Sequence, residues 1–490
     1  LEMPEKAIHV DIRQTIETIV QKIESAMQYS FGLIGLGVMG KSLARNLASK
    51  GFSLALYNRH VAGQEENVAV DFIQAHGELS KAEGFDELAA FVASLERPRK
   101  ILIMVNAGTA TQAVVDALLE YLEQGDILID GGNAHYKDTA RQQQQLIEKG
   151  IHFLGTGVSG GEEGALKGAA IMPGGDLGAY TAVAPFLEAI AAKDQQGKAC
   201  CGYIGAGGAG HFVKMIHNGI EYAEMQLLAE LVDYLRLHQR SWPEIARLLE
   251  DWMQGEASSY LLGITVDILR HKDTDGSPLI EAILDKAGNK GTGGWSNIAA
   301  STYGMPATMI ASALFARYLS AQRDQRLAAA SAFDQLRGRQ PQGRLIHAES
   351  LGAAYQLARL INHQQGLKLI QAASEQHGWQ INLSETARIW TNGCIIRSAL
   401  MEQLVGQLAQ GPELLLNLTF QPFVREASSD LRMLCLNLVE GLVPSPCFQA
   451  AFQYLAGYTQ ARSSAYLIQA QRDYFGAHTY KRLDDPEGPA

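Results

Sequence analysis

The chain has 490 residues, 47% hydrophobic and 19% charged, with a formal net charge of −11. That length exceeds one ordinary core and implies two or three folded units; no apolar run reaches the roughly 18 residues that a membrane-spanning helix needs. The negative charge argues against a general nucleic-acid or anionic-membrane partner, so an anionic ligand must be held by a local cluster of Lys and Arg. The five cysteines include the adjacent pair Cys200 and Cys201 and show no CxxC or Cys/His spacing. They read as reduced thiols of a cytoplasmic protein, and no metal site is expected.

Residues 1–30 are an N-terminal extension of unknown role. Their charged start (Glu2, Glu5, Lys6, Asp11, Arg13) lacks the basic start and apolar core of a signal peptide. Thr15 to Met27 has an amphipathic pattern, and a processed end, an appended segment and an extra helix all stay open. From Phe31, short apolar runs recur at Phe31–Ile34, Ser53–Tyr57, Lys100–Val105, Asp126–Asp130 and Ile151–Leu154, spaced widely enough for helices between them. The alternation predicts a mostly parallel α/β sheet within a domain at 31–207, its last strand at Cys201–Ile204.

The first turn, Gly35-Leu36-Gly37-Val38-Met39-Gly40, follows a strand and precedes a helix predicted over Lys41 to Lys50. In that context it is a dinucleotide-binding fingerprint of the Rossmann type: one Gly for the tight turn, one for close approach of a pyrophosphate, one for helix packing. The helix N-terminus supplies free N–H groups to the phosphates. The second strand ends in Tyr57-Asn58-Arg59-His60, with no carboxylate for the ribose hydroxyls of NAD. Asn58 can bond a ribose hydroxyl, and Arg59 offers a charged fork suited to a 2′-phosphate, which favours NADP over NAD. Val105, Asn106 and Ala107 are expected to line the nicotinamide side. Glycine-rich segments at Asp130–Tyr136 and Gly155–Glu162 offer Asn133 and Ser159, with Gly160 and Gly161, to a ligand outside the strand ends.

The run Gly205–Gly210 reads as a hinge. Beyond it the chain is rich in Ala, Leu and Gln, predicting an all-helical domain over 208–460, then a tail over 461–490. In His211 to Met225, Lys214, His217, Asn218 and Glu221 stand at i, i+3, i+4 and i+7, a single polar stripe on an otherwise apolar helix. Buried polar groups are costly unless they pair or face a cavity, so the stripe is read as a site. Three further segments are unlike helix core: Asn289–Trp295, where Lys290 and Thr292 sit in a glycine-rich bend; Phe315–Tyr318, with Arg317; and Gln469–His478, with Arg472. A charged loop is expected at Arg337–Arg344.

Taken in order, GLGVMG, YNR, DGGN, GVSGGEEGA, MPGG, KMIHNGIEY, NKGTGGW and QAQRDYFGAH make the chain resemble the 6-phosphogluconate dehydrogenase (decarboxylating) family from about Phe31 to Tyr480. The resemblance implies oxidation and decarboxylation of 6-phosphogluconate to ribulose 5-phosphate with NADP, a step of the pentose phosphate pathway, with no metal. It implies Lys214 as general base and acid and Glu221 as the second acid. It also implies substrate contacts at Asn133, Ser159, Gly160, Gly161, His217, Asn218, Tyr222, Lys290, Thr292, Arg317, Arg472 and His478, and the adenine ribose phosphate at Asn58 and Arg59. In a homodimer, Arg472 and His478 would enter from the partner subunit's tail.

The chain departs from the family pattern at His60, where Thr is usual, at Asn106 and Gly294, where Lys is frequent, and at Ala134, where Ser is common. Lys214 must be neutral to take the C3 hydroxyl proton, so burial and nearby cations must lower its pKa. Glu221 would then protonate C1 of the enediol. Two alternatives are weaker. A β-hydroxyacid dehydrogenase on a small substrate would be much shorter and lack the NKGTGGW and QRDYFGAH segments. A non-catalytic NADP-binding relative would be expected to have lost Lys214 or Glu221, and both are present.

Overall fold

The computed structural model describes residues 28–289, 291–336 and 345–487. The amphipathic stretch Thr15 to Met27, Lys290 and the charged loop Arg337–Arg344 lie outside the described residues. Seven strands form one sheet: β1 (Phe31–Ile34), β2 (Leu54–Tyr57), β3 (Ala82–Phe85), β4 (Lys100–Ile103), β5 (Ile127–Asp130), β6 (His152–Ser159) and β7 (Ala170–Gly175). Their order is β3-β2-β1-β4-β5-β6-β7, with β1 to β6 parallel and β7 antiparallel to β6. This is the doubly wound arrangement, and the chain reverses direction of travel between β1 and β4. Strands β1 and β5 are buried throughout because helices cover both faces, which is why they read as continuous apolar runs.

Three expectations change. Strand β3 was not anticipated, since Ala82-Glu83-Gly84-Phe85 is a half-exposed edge strand without an apolar run. Strand β6 does not end at Leu154 but continues through Gly155, Thr156, Gly157 and Val158 to Ser159, held by antiparallel pairing with β7. Cys201–Ile204 is not a strand. It makes one bridge to Ile171, and Ile204 N–H bonds Pro173 O at 2.8 Å, without a continuous ladder.

The expected hinge is also a tight joint. A Cβ on Gly210 would lie 2.7 Å from Gly174 N and also meet the carbonyls of Gly155 and Met172; one on Gly205 would lie 2.7 Å from Trp379 O. These glycines allow main chain to touch main chain, a close approach rather than a loose connection. From this joint runs the site helix, Ala209–Leu237, of 29 residues, packed against β6 and β7 on one side and the 30-residue helix Ala348–His377 on the other. Among the described residues everything after β7 that is regular is helical. The helical core includes a buried ion pair, Arg359 Nε to Glu224 Oε1 at 3.0 Å.

Candidate active site

The fingerprint turn closes as its sequence requires. Gly35 has φ of 96°, and a Cβ there would lie 2.6 Å from Met104 O. A Cβ on Gly40 would collide with Gly35 O, so the helix Val38–Ser49 can approach β1 only with glycine at that position. Its N-cap, Gly37, makes no side-chain cap bond and its first turn holds no acid, which leaves the helix start open to an anion. Open space lies where a Cβ of Gly37 would point. Leu36 is buried while Val38 is exposed, and Asn58 Oδ1 accepts the Leu36 N–H at 3.1 Å. These residues fit a dinucleotide pyrophosphate. Val105 is half-buried; Asn106, Ala107 and Asn133 are exposed at the ends of β4 and β5, on the same edge of the sheet.

Facing this edge is the stripe of the site helix. Lys214 and His217 are buried, while Asn218 and Glu221 are partly exposed. The Lys214 Nζ donates to Asn218 Oδ1 at 2.8 Å and stands 3.4 Å from His217 Nδ1. His217 Nε2 lies 3.3 Å from Ser159 Oγ at the end of β6, and Asn218 Nδ2 donates to Thr292 Oγ1 at 3.3 Å. The stripe is thus tied to β6 on one side and to the helix Thr292–Thr302 on the other. Gly157 makes this possible: a Cβ there would strike the Lys214 side chain. Gly160 and Gly161 follow Ser159 with φ of 122° and 64°, opening a short helix.

Burial lowers the Lys214 pKa, and the Glu221 carboxylate pulls it back up. Burial first, and Lys214 second, push His217 well below the ordinary imidazole value. His217 is therefore neutral at pH 7, and its 3.7 Å contact with Glu221 Oε2 is polar rather than ionic. Arg317 stacks its guanidinium 3.5 Å above the ring of buried Tyr222 and donates to Gly288 O at 3.0 Å. Burial lowers its pKa, yet a guanidinium stays charged.

The structure therefore brings together Ser159, Lys214, His217, Asn218, Glu221 and Thr292, with Tyr222 next on the same helix and Arg317 stacked on it from the helix Thr308–Ala321. It does not bring Arg472 and His478 to them. Both lie on or just after the helix Ala465–Gly476, which buries none of its residues. Arg59 and His60 are exposed, and Arg59 is bound to Glu65. Sequence reasoning missed three supports. Buried His211 bonds Thr139 Oγ1 at 2.7 Å and Asp130 O at 3.1 Å, pinning the helix start to β5. Trp390 packs edge-on to His217 at 5.4 Å, and Cys394, buried, donates to Trp390 O at 3.1 Å. None of these has a local sequence signal.

A place for a dinucleotide, with one buried amine facing it across the sheet's carboxyl edge, marks the class of nicotinamide-dependent dehydrogenases. Residues 30–205 match the family model described as NAD binding domain of 6-phosphogluconate dehydrogenase, and residues 210–489 match 6-phosphogluconate dehydrogenase, C-terminal domain. The chain belongs to the 6-phosphogluconate dehydrogenase (decarboxylating) family. It is 44% identical over 461 residues to the Haemophilus influenzae enzyme of that name, covering 93% of this chain and 94% of the relative. The Escherichia coli enzyme is 43% identical over 459 residues, covering 92% and 96%. The solved Plasmodium falciparum 6-phosphogluconate dehydrogenase, studied with NADP+ and with 6-phosphogluconate, superposes with a TM-score of 0.88 at 34% identity, covering 94% of this chain and 98% of that one.

Proposed function

We propose that this chain oxidises and decarboxylates 6-phosphogluconate to ribulose 5-phosphate and CO2, with NADP as hydride acceptor. The observation that carries the mechanism is the buried Lys214, held by Asn218 beside a neutral His217. Bound at the Gly35–Gly40 turn, NADP would supply the acceptor for the hydride that leaves C3. Lys214, which burial shifts toward its neutral form, takes the C3 hydroxyl proton. As an ammonium it then hydrogen-bonds the C3 oxygen while the C1–C2 bond breaks, CO2 leaves and the electron pair forms an enediolate. It returns the proton to that oxygen. Glu221, one helical turn beyond His217, protonates the carbon that becomes C1 of the pentulose while Lys214 takes the hydroxyl proton back, which leaves the C2 ketone. His217 and Ser159 orient the substrate hydroxyls, with Gly160, Gly161, Asn133, Asn218 and Thr292 around the carbon chain. Arg317, Tyr222 and Lys290 hold the remote phosphate, which positions the reacting carbons.

The phosphate pocket is completed in a homodimer, where Arg472 and His478 come from the partner subunit. In support, the tail helix exposes Tyr466, Leu467, Ile468, Tyr474 and Phe475, an apolar surface that a second copy would cover. Five free, buried thiols suit a cytoplasmic enzyme. The test of the reaction is Lys214→Met, followed by NADPH absorbance and CO2 release with 6-phosphogluconate. Turnover should vanish while NADP still binds; retained oxidation would remove Lys214 as the base.

A further inference from the structure

The two side chains assigned to the adenine ribose phosphate already hold an anion supplied by the chain itself. Arg59 Nη2 donates to Glu65 Oε1 at 3.0 Å, its Nε to Glu65 Oε2 at 3.3 Å, and Asn58 Nδ2 to the same Oε2 at 3.0 Å. The carboxylate is delivered by a closed turn. Val61 N–H bonds Glu65 O at 2.9 Å, Glu65 N–H bonds Val61 O at 2.8 Å, and Gly63 takes the positive φ of 74° that the turn needs. A planar anion is thus held in the Arg59 fork by a main-chain-bonded turn just past the end of β2.

We propose that Glu65 is a built-in substitute for the 2′-phosphate and sets the balance between NADP and NAD, an inference that rests on the phosphate-binding reading of Arg59. A 2′-phosphate and the Glu65 carboxylate compete for one guanidinium fork and repel each other there. NADP must displace Glu65 to gain Arg59. NAD needs no such exchange, and its ribose hydroxyls can donate to the Glu65 carboxylate. That is the acceptor NAD sites ordinarily carry at the end of the second strand, and residues 58–60 do not supply it. One carboxylate therefore opposes one cofactor and assists the other. Arg59, the first of its partners, holds the Glu65 carboxyl below the usual range, so it is ionised at neutral pH.

The test titrates wild type, Glu65→Gln and Arg59→Ala with adenosine 2′,5′-bisphosphate and with AMP by calorimetry, and compares KM for NADP and NAD. Glu65→Gln should tighten the bisphosphate and NADP roughly two- to fivefold, the range of an exposed ion pair, while weakening NAD. Arg59→Ala should weaken the bisphosphate much more than AMP. If Arg59→Ala is selective but Glu65→Gln leaves both cofactors unchanged, or moves them in the same direction, the Glu65 inference fails alone. If Arg59→Ala weakens the bisphosphate and AMP equally, the phosphate reading of Arg59 fails, and the inference with it.

Discussion

In the proposed mechanism Glu221 has two parts, one toward Lys214 and one as the second acid, and they can be separated by pH. Its carboxylate raises the lysine pKa against the larger downward effect of burial. Glu221→Gln removes that opposition, so the Lys214 pKa falls further and more of the lysine is neutral at a given pH. The acid limb of single-turnover NADPH formation should therefore move to lower pH, while steady-state release of pentulose drops on the order of a hundredfold for want of the second acid. A limb that stays put or moves up would mean that Glu221 does not face the amine. The stripe of Lys214, His217, Asn218 and Glu221 is legible in the sequence because helical spacing is a local pattern. The engagement of Arg59 by Glu65 was not: it depends on a turn whose closure, Val61 to Glu65, has no signature beyond one glycine.

Elements show a similar division. Buried strands such as β1 and β5 were readable as apolar runs, whereas β6 was cut short because Gly155 and Gly157 look like turn residues. Their meaning lies on other elements, for a Cβ at Gly155 would lie 2.9 Å from His211 Nδ1, and one at Gly157 would strike Lys214. The site helix also has an end-on contact that no stripe revealed. Glu230 accepts the N–H groups of Cys447 at 2.8 Å and Phe448 at 2.9 Å, at the start of the helix Pro446–Tyr458. Burial outweighs these donors and raises its pKa from 4.5 to about 7. Because the folded pKa lies above the unfolded one, the protonated group's contribution is full below pH 4.5 and is lost as pH rises through about 7. Over that window wild type should lose on the order of 3 kcal/mol of stability through this group. Urea unfolding at several pH values should show a flatter dependence for Glu230→Gln; parallel slopes in the two proteins would contradict it.

At the scale of the whole molecule, the question is which chain supplies Arg472. Lys214→Met and Arg472→Ala chains refolded together should regain activity at low substrate that neither has alone. A mixed dimer has one site with its own Lys214 and the partner's Arg472, so random pairing restores about a quarter of the sites. No recovery would place Arg472 in the same chain's pocket. The sequence could suggest this arrangement only through family resemblance, since a helix that buries nothing in its own chain gives no internal clue to what it touches.

The main-chain contact among Gly155, Gly174 and Gly210 acts as a gauge. With no side chain between sheet and helix at this joint, the spacing of the helix start from β6 and β7 is measured in backbone alone. A side chain at any of the three would push the helix that carries Lys214 away from β6 and β7.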